Sequence, residues 1–144
     1  MNDRRASKVL LIVEDQLFLA MALKHELEDH GYQVLELATC NQEAMGLAQA
    51  VKPDLALVNM ELARGDDGVA LAADLKAMGI SVLFISGQSE RARSARSVGV
   101  GSLPKPYTPS ELVAAVDYLL QHEHGDKARR KPPRLEMFAA VSTR

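Results

Sequence analysis

The feature that most constrains this 144-residue chain is a regular alternation of short apolar runs with stretches of helical periodicity. Val9–Val13, Leu55–Asn59 and Ser81–Ser86 are too short for buried helices, and their apolar runs are too continuous for strands with one wet face. Each predicts a strand covered on both sides. Between them lie helical patterns. Gln16–His30 carries Leu19, Leu23 and Leu27 at i, i+4 and i+8, and Gly31 supplies a C-terminal stop. Asn41 reads as the N-cap of a helix through Val51, which Pro53 ends. Val69–Met78 closes on Gly79, and Thr108-Pro109-Ser110-Glu111 is a capping box with proline at the first helical position.

Two weaker segments complete the pattern: Gln33–Ala38 as a second strand and Ser102-Leu103 as a short edge strand broken by Pro104. Ser89–Val98 falls where a crossover helix is due, yet only Ala92, Ala95 and Val98 face Arg91, Arg93 and Arg96. Packing supplies most helix stability, so this helix is expected to be marginal and mobile. Strict β/α alternation implies right-handed crossovers and a parallel sheet with helices on both faces. The expected fold is a doubly wound, flavodoxin-like (βα)5 domain with a five-stranded parallel sheet in the order 2-1-3-4-5.

Composition narrows the function classes. No apolar run approaches the roughly 18 residues that span a membrane, and the polar start is not a signal peptide. Cys40 stands alone, so a disulfide framework is excluded; it reads as a small core hydrophobe in a cytoplasmic protein. Charge is uneven. Residues 121–144 hold six Lys/Arg against three acids, a net of +3, while residues 1–120 hold 11 against 16, a net of −5. This predicts a lead-in over 1–8, a domain over 9–122 and a basic, partly flexible tail over 123–144. The run from Lys127 to Arg134 lacks aromatic interleaving, which favours a plain linker over a nucleic-acid contact. Leu135–Val141 regains apolar character and either docks or stays loose. His122 and His124 have no clear third ligand and read as a solvated helix end.

On a doubly wound sheet, ligands sit beyond the carboxyl ends of the strands. Polar residues stand at four such ends: Glu14 and Asp15, Asn59, Ser86, and Lys105. Adjacent carboxylates at the end of a buried strand repel each other and favour a hard divalent cation. Read singly, Asn59 is a strand cap, Ser86-Gly87 a turn and Lys105 a surface charge. In this order they form a specific combination.

The stretches Val-Leu-Leu-Ile-Val-Glu-Asp, Pro-Asp-Leu-Ala-Leu-Val-Asn-Met-Glu-Leu, Val-Leu-Phe-Ile-Ser-Gly and Leu-Pro-Lys-Pro-Tyr resemble the receiver domain of two-component response regulators, over roughly residues 8–122. The resemblance implies a signalling protein, not a turnover enzyme, that takes a phosphoryl group from a histidine kinase or phosphotransfer protein. It implies Glu14, Asp15 and the backbone carbonyl of Glu61 as ligands of Mg2+. Ser86 becomes the switch hydroxyl and Lys105 the phosphate-pairing lysine. Asn59 occupies the position of the acceptor aspartate, and Ser102 that of the aromatic that usually reports switching.

A carboxamide is a poor nucleophile and forms no acyl phosphate of the usual kind. Asn59 therefore predicts a form not phosphorylated at the usual position, with Mg2+ binding weakened by the lost carboxylate. It is either native to a phosphate-independent pseudo-receiver or a trapping substitution in an ordinary one; deamidation is disfavoured by Met60. Asp66 and Asp67 are nearby but aimed from the following loop. The roughly 22 residues after 122 leave no room for a helix-turn-helix effector, which points to a single-domain regulator acting through protein contacts. Leu17, Phe18 and Met21 lie off the core stripe, where flanking loops cover them or a partner or homodimer does. A flavodoxin-like nucleotide or FMN binder is the alternative. Glu14-Asp15, standing where a glycine-rich phosphate loop would be, argues against it.

Overall fold

The computed structural model describes residues 4–62, 67–123 and 130–138. Its elements are a 3-10 turn (Arg4–Ser7), β1 (Val9–Val13), α1 (Leu17–Asp29), β2 (Gln33–Val34), α2 (Asn41–Ala50), β3 (Leu55–Asn59), α3 (Gly68–Ala77), β4 (Ser81–Ser86), α4 (Ser89–Ser94), β5 (Gly101–Pro104), α5 (Pro109–Glu123) and β6 (Glu136–Met137). The sheet runs β2-β1-β3-β4-β5-β6; the first five strands are parallel and β6 is antiparallel to β5.

Strand periodicity builds two cores from one run of residues. Leu10 and Ile12 pack with α1 and α5, while Leu11 and Val13 pack with α2, α3 and α4. Leu10, Leu11 and Ile12 are fully buried, each worth about 2 kcal/mol over exposure. Both faces being covered explains why β1, β3 and β4 show no polar alternation. Helices α1 and α3 stop where the chain can turn left-handed, at Gly31 (φ 99°) and Gly79 (φ 81°).

Several local expectations change. Leu19 is 44% exposed, and the buried positions of α1 are Ala20, Leu23 and Leu27. An alanine at the contact lets this helix lie close to the sheet. Asn41 is not the N-cap of α2. Thr39 donates its N–H and hydroxyl to the Glu43 carboxylate at 2.8 and 2.9 Å, which closes the turn earlier. Asn41 is already helical and donates to the Asp67 carbonyl. Cys40, at the N-cap position, is half-buried, not a core residue. The second strand is only Gln33–Val34, joined further on by an isolated bridge between Val13 and Ala38. The helix expected over Ser89–Val98 ends at Ser94, as its thin apolar stripe allows.

The largest change is at the sheet edge. β5 is not an edge strand, because the tail returns and pairs Met137 with Gly101 and Glu136 with Ser102. Leu135 is fully buried in the α1–α5 core and Phe138 nearly so in the opposite one. A Cβ on Gly101 would lie 2.6 Å from the Glu136 carbonyl oxygen, so glycine is what lets β6 come this close. Arg93 pairs with Glu136 at 2.7 Å and Arg134 with Glu111 at 3.0 Å, on either side of the added strand.

The lead-in is fastened too. Arg5 donates Nε and Nη2 to the Asp117 carboxylate of α5 at 3.1 and 2.7 Å, and Asp117 also accepts the Tyr32 hydroxyl. Asp117 is 5% exposed, so removing its cation leaves a buried carboxylate held by one hydroxyl. We expect Arg5→Ala to lower stability by about 2 kcal/mol in urea titration, discounted from a fully buried pair because Arg5 is part-exposed. A change below about 0.5 kcal/mol would show the pair to be energetically idle.

Candidate functional site

Four buried strands deliver their last residues to one edge of the sheet. Glu14 follows β1, Asn59 ends β3, Ser86 ends β4 and Lys105 follows β5. Glu14, Asn59 and Ser86 are buried at 3%, 3% and 1% exposure. Asp15 is half-buried beside Glu14.

Asn59 is the hub of this cluster. Its Nδ2 donates to Glu14 Oε2 at 3.1 Å and lies 3.5 Å from the Glu61 carbonyl oxygen. Its Oδ1 accepts from Lys105 Nζ at 2.9 Å and from the Glu61 N–H at 3.1 Å. The donor end thus faces oxygens and the acceptor end faces a cation and an amide. Burial pushes the Glu14 carboxyl up, and its bonds from the Gln16 N–H and the Asn59 amide only partly offset this. An aspartate in the place of Asn59 would aim a carboxylate oxygen at Glu14, and that contact would need a proton or a cation between them.

Sequence reasoning assigned Glu61 a backbone role and missed its side chain. The carboxylate accepts from Ser86 Oγ at 2.6 Å and the Gly87 N–H at 3.1 Å, and it pairs with Lys105 Nζ at 3.5 Å. Burial alone would raise the Glu61 carboxyl, but these three donors outweigh it and hold it below the usual carboxylate range. Ser86 Oγ also accepts the Gln88 N–H at 2.9 Å. The available signal was an acid two residues beyond a buried strand; nothing in its spacing said where it would point.

The other sequence candidates lie outside this cluster. Ser102 is buried in β5 between Phe84 and Glu136. Asp67 is exposed and caps α3 through the Val69 N–H at 2.9 Å, and Asp66 lies outside the described residues. So do His124 and the basic run up to Arg129. Leu17, Phe18 and Met21 are 57%, 90% and 53% exposed at the start of α1. Next to them a cavity of about 630 Å³ opens beside Glu14 and Lys105, walled by Leu19, Leu23, Tyr107 and Leu112.

Glu14, Asp15 and the Glu61 carbonyl are hard oxygen donors of the kind Mg2+ takes. Among the described residues no three acidic, histidine or cysteine side chains gather for a metal, so the set relies on two carboxylates and a carbonyl. The Asn59 N–H2 already faces Glu14 and that carbonyl. The residues fit the cation in kind, with one amide in competition for them.

Comparison with known proteins is consistent over most of the chain. Residues 10–117 match the family model described as response regulator receiver domain. The transcriptional regulatory protein PdtaR of Mycobacterium tuberculosis is 31% identical over 80% of this chain and 58% of its own length. The phyllosphere-induced regulator PhyR of Methylorubrum extorquens is 29% identical over 83% of this chain and 46% of its own. The chain thus spans about half the length of these curated relatives. Among solved structures, the N-terminal domain of a response regulator/sensory box/GGDEF three-domain protein from Carboxydothermus hydrogenoformans aligns with a TM-score of 0.73 at 32% identity. It covers 82% of this chain and 98% of that one.

The electrostatics of the site set two expected outcomes. Isothermal titration should find Mg2+ bound about tenfold or more weakly by this chain than by Asn59→Asp, since ligand charge sets affinity; equal affinity would refute the competing-amide account. The Tyr107 phenol is pushed up to about 12 by burial and the facing Glu14 carboxylate. Its folded value lies above the unfolded value of about 10, so its stabilising contribution is complete below pH 10 and lost as pH rises through 12. Difference absorbance against Tyr107→Phe should place that phenol's ionisation well above the ordinary tyrosine range.

Proposed function

The chain belongs to the response regulator receiver domain family, and on that premise we propose that the strand-end cluster is its phosphoryl-signalling site, silenced at residue 59. As a receiver domain of a two-component response regulator it is a signalling module. The finer reading is that it docks a histidine kinase or phosphotransfer protein and acts by protein contact. In this form it does not accept the phosphoryl group at the usual position.

The observation that carries this reading is the pairing of Lys105 Nζ with Asn59 Oδ1 at 2.9 Å, with Glu14 on the other side of the amide. With aspartate at 59, that oxygen is the nucleophile: a P–O bond forms to it as the donor's P–N bond breaks and the histidine nitrogen keeps the electron pair. Lys105 offsets the charge on the phosphoryl oxygens, and the Ser86 hydroxyl and Gly87 N–H lie on the same side to donate to them. Mg2+, held by Glu14, Asp15 and the Glu61 carbonyl, would supply further charge neutralisation. The asparagine amide nitrogen has its lone pair delocalised into the carbonyl, so the step stops.

The start of α1 offers the donor a place to dock. Phe18 at 90% exposure, with Leu17, Leu19 and Met21, forms an apolar end of the helix beside the cavity that opens at Glu14 and Lys105. A helix bearing the donor histidine, seated there, would lie over Glu14 and Lys105, the two residues that hold the Asn59 amide.

Intact-mass spectrometry after acetyl phosphate with Mg2+ tests the reading. We expect Asn59→Asp to gain one phosphoryl group and the unaltered chain none. Modification of the unaltered chain would place the acceptor elsewhere. If neither chain is modified, the site is not a phosphoryl site and the domain works as an interaction module alone.

A further inference from the structure

We propose that Glu61 supplies from its own side chain the anion that the Ser86–Gly87–Lys105 pocket is built to hold, so that the loop after β4 is kept in its anion-bound arrangement without covalent modification. The inference rests on reading those three donors as the phosphoryl-oxygen pocket, and it concerns the regulation of that same site.

The geometry separates this contact from an ordinary surface ion pair. Lys105 is the most distant of the three partners at 3.5 Å, whereas Ser86 Oγ at 2.6 Å and the Gly87 N–H at 3.1 Å are closer, and both belong to the end of β4. Attraction to the lysine alone would give the carboxylate no reason to reach them. Two oxygens are shared among a hydroxyl, a backbone amide and an ammonium, the donor set a phosphoryl group would need. The Glu61 backbone is held as well, its N–H bound to Asn59 Oδ1, so the side chain starts from a fixed point.

The contact also steadies the approach to α4. Ser86 Oγ accepts the Gln88 N–H at 2.9 Å, which tethers the three residues before α4 to one another. From α4, Arg93 reaches Glu136 of β6 at 2.7 Å. Glu61 is thereby linked, through Ser86 and then Arg93 in the last turn of α4, to the face where the tail strand lies. The same position makes Glu61 a competitor. A phosphoryl group on residue 59 would need Ser86, Gly87 and Lys105, and would have to displace a carboxylate of like charge. In this reading the surface beyond β4 is set permanently in one state, and an acceptor restored at 59 would have little left to switch.

Amide hydrogen exchange at Gly87 and Gln88 tests this in the full chain. Glu61→Ala should speed exchange there by at least about tenfold, the effect of losing a charge-assisted hydrogen bond, and Glu61→Gln should give a smaller increase. Inorganic phosphate with Mg2+ should slow exchange again in Glu61→Ala and do nothing to the unaltered chain. Unchanged exchange in both variants, or an equal phosphate effect with and without Glu61, would overturn the proposal. A second comparison separates it from the functional reading. Asn59→Asp and Asn59→Asp with Glu61→Ala are treated with acetyl phosphate and their amide spectra recorded. Shifts confined to the double variant, over residues 86–95, support Glu61 as the resident anion. Equal shifts in both phosphorylated variants remove that role while leaving the phosphoryl site intact. If neither is phosphorylated, the phosphoryl reading fails and the exchange rates alone decide whether Glu61 holds the loop.

Discussion

The carboxamide of Asn59 is the interaction on which the carboxyl edge of this sheet depends. Four strands end within reach of one another and bring two carboxylates, Glu14 and Glu61, and one ammonium, Lys105, to a largely buried place. A group with a donor at one end and an acceptor at the other can satisfy both signs at once. Asn59 does so with Glu14 on its nitrogen and Lys105 on its oxygen. Unsatisfied polar groups at such depth cost several kcal/mol, so this neutral bridge stabilises the apo site in a way an aspartate cannot without a cation. The residue that removes the nucleophile is thus also the one that makes the cluster self-sufficient.

The rest of the fold supplies the rigidity this needs. β1, β3 and β4 are buried on both faces, so their last residues have no freedom to drift. Helices pack on either side, and the elements that lie farthest out are tied by ions: Arg5 to Asp117 at the lead-in, Arg93 to Glu136 and Arg134 to Glu111 at the tail. Precision at the site comes from apolar burial, and closure at the periphery comes from charge pairs.

That division explains what could be read from the sequence. Glu14, Asn59, Ser86 and Lys105 were legible because each terminates or succeeds a strand, and strand ends are marked by an abrupt change of polarity. The parallel sheet was legible in the alternation alone. Glu61 as a side chain was not, since a loop residue has no periodicity to aim it. In α1, Leu19 and Ala20 compete for the buried position; leucine wins on hydrophobicity, but alanine wins where the helix must approach the sheet closely. β6 was hidden because two paired residues inside a Pro- and Arg-rich tail carry no strand signal. Its anchors, Leu135 and Phe138, act through burial and through the space left above Gly101.

The tail strand also bears on where a partner can bind. An exposed parallel edge at β5 would offer unpaired backbone groups to another chain. Here β6 takes those groups, and Leu135 and Phe138 fill the apolar ground beside them on both faces of the sheet. Ser102 pairs with Glu136 of this strand, so the edge of β5 is already occupied by the chain itself. The start of α1 has the opposite character: a cluster of large apolar side chains left exposed among the described residues, next to the cavity at Glu14 and Lys105. Burying Phe18 and its neighbours would be favourable for any partner that brings a complementary apolar surface, whether or not residue 59 can react. The exposed apolar start of α1 and the polar cluster at the end of β3 are therefore physically separate, so the residue at 59 does not decide whether that apolar patch is present.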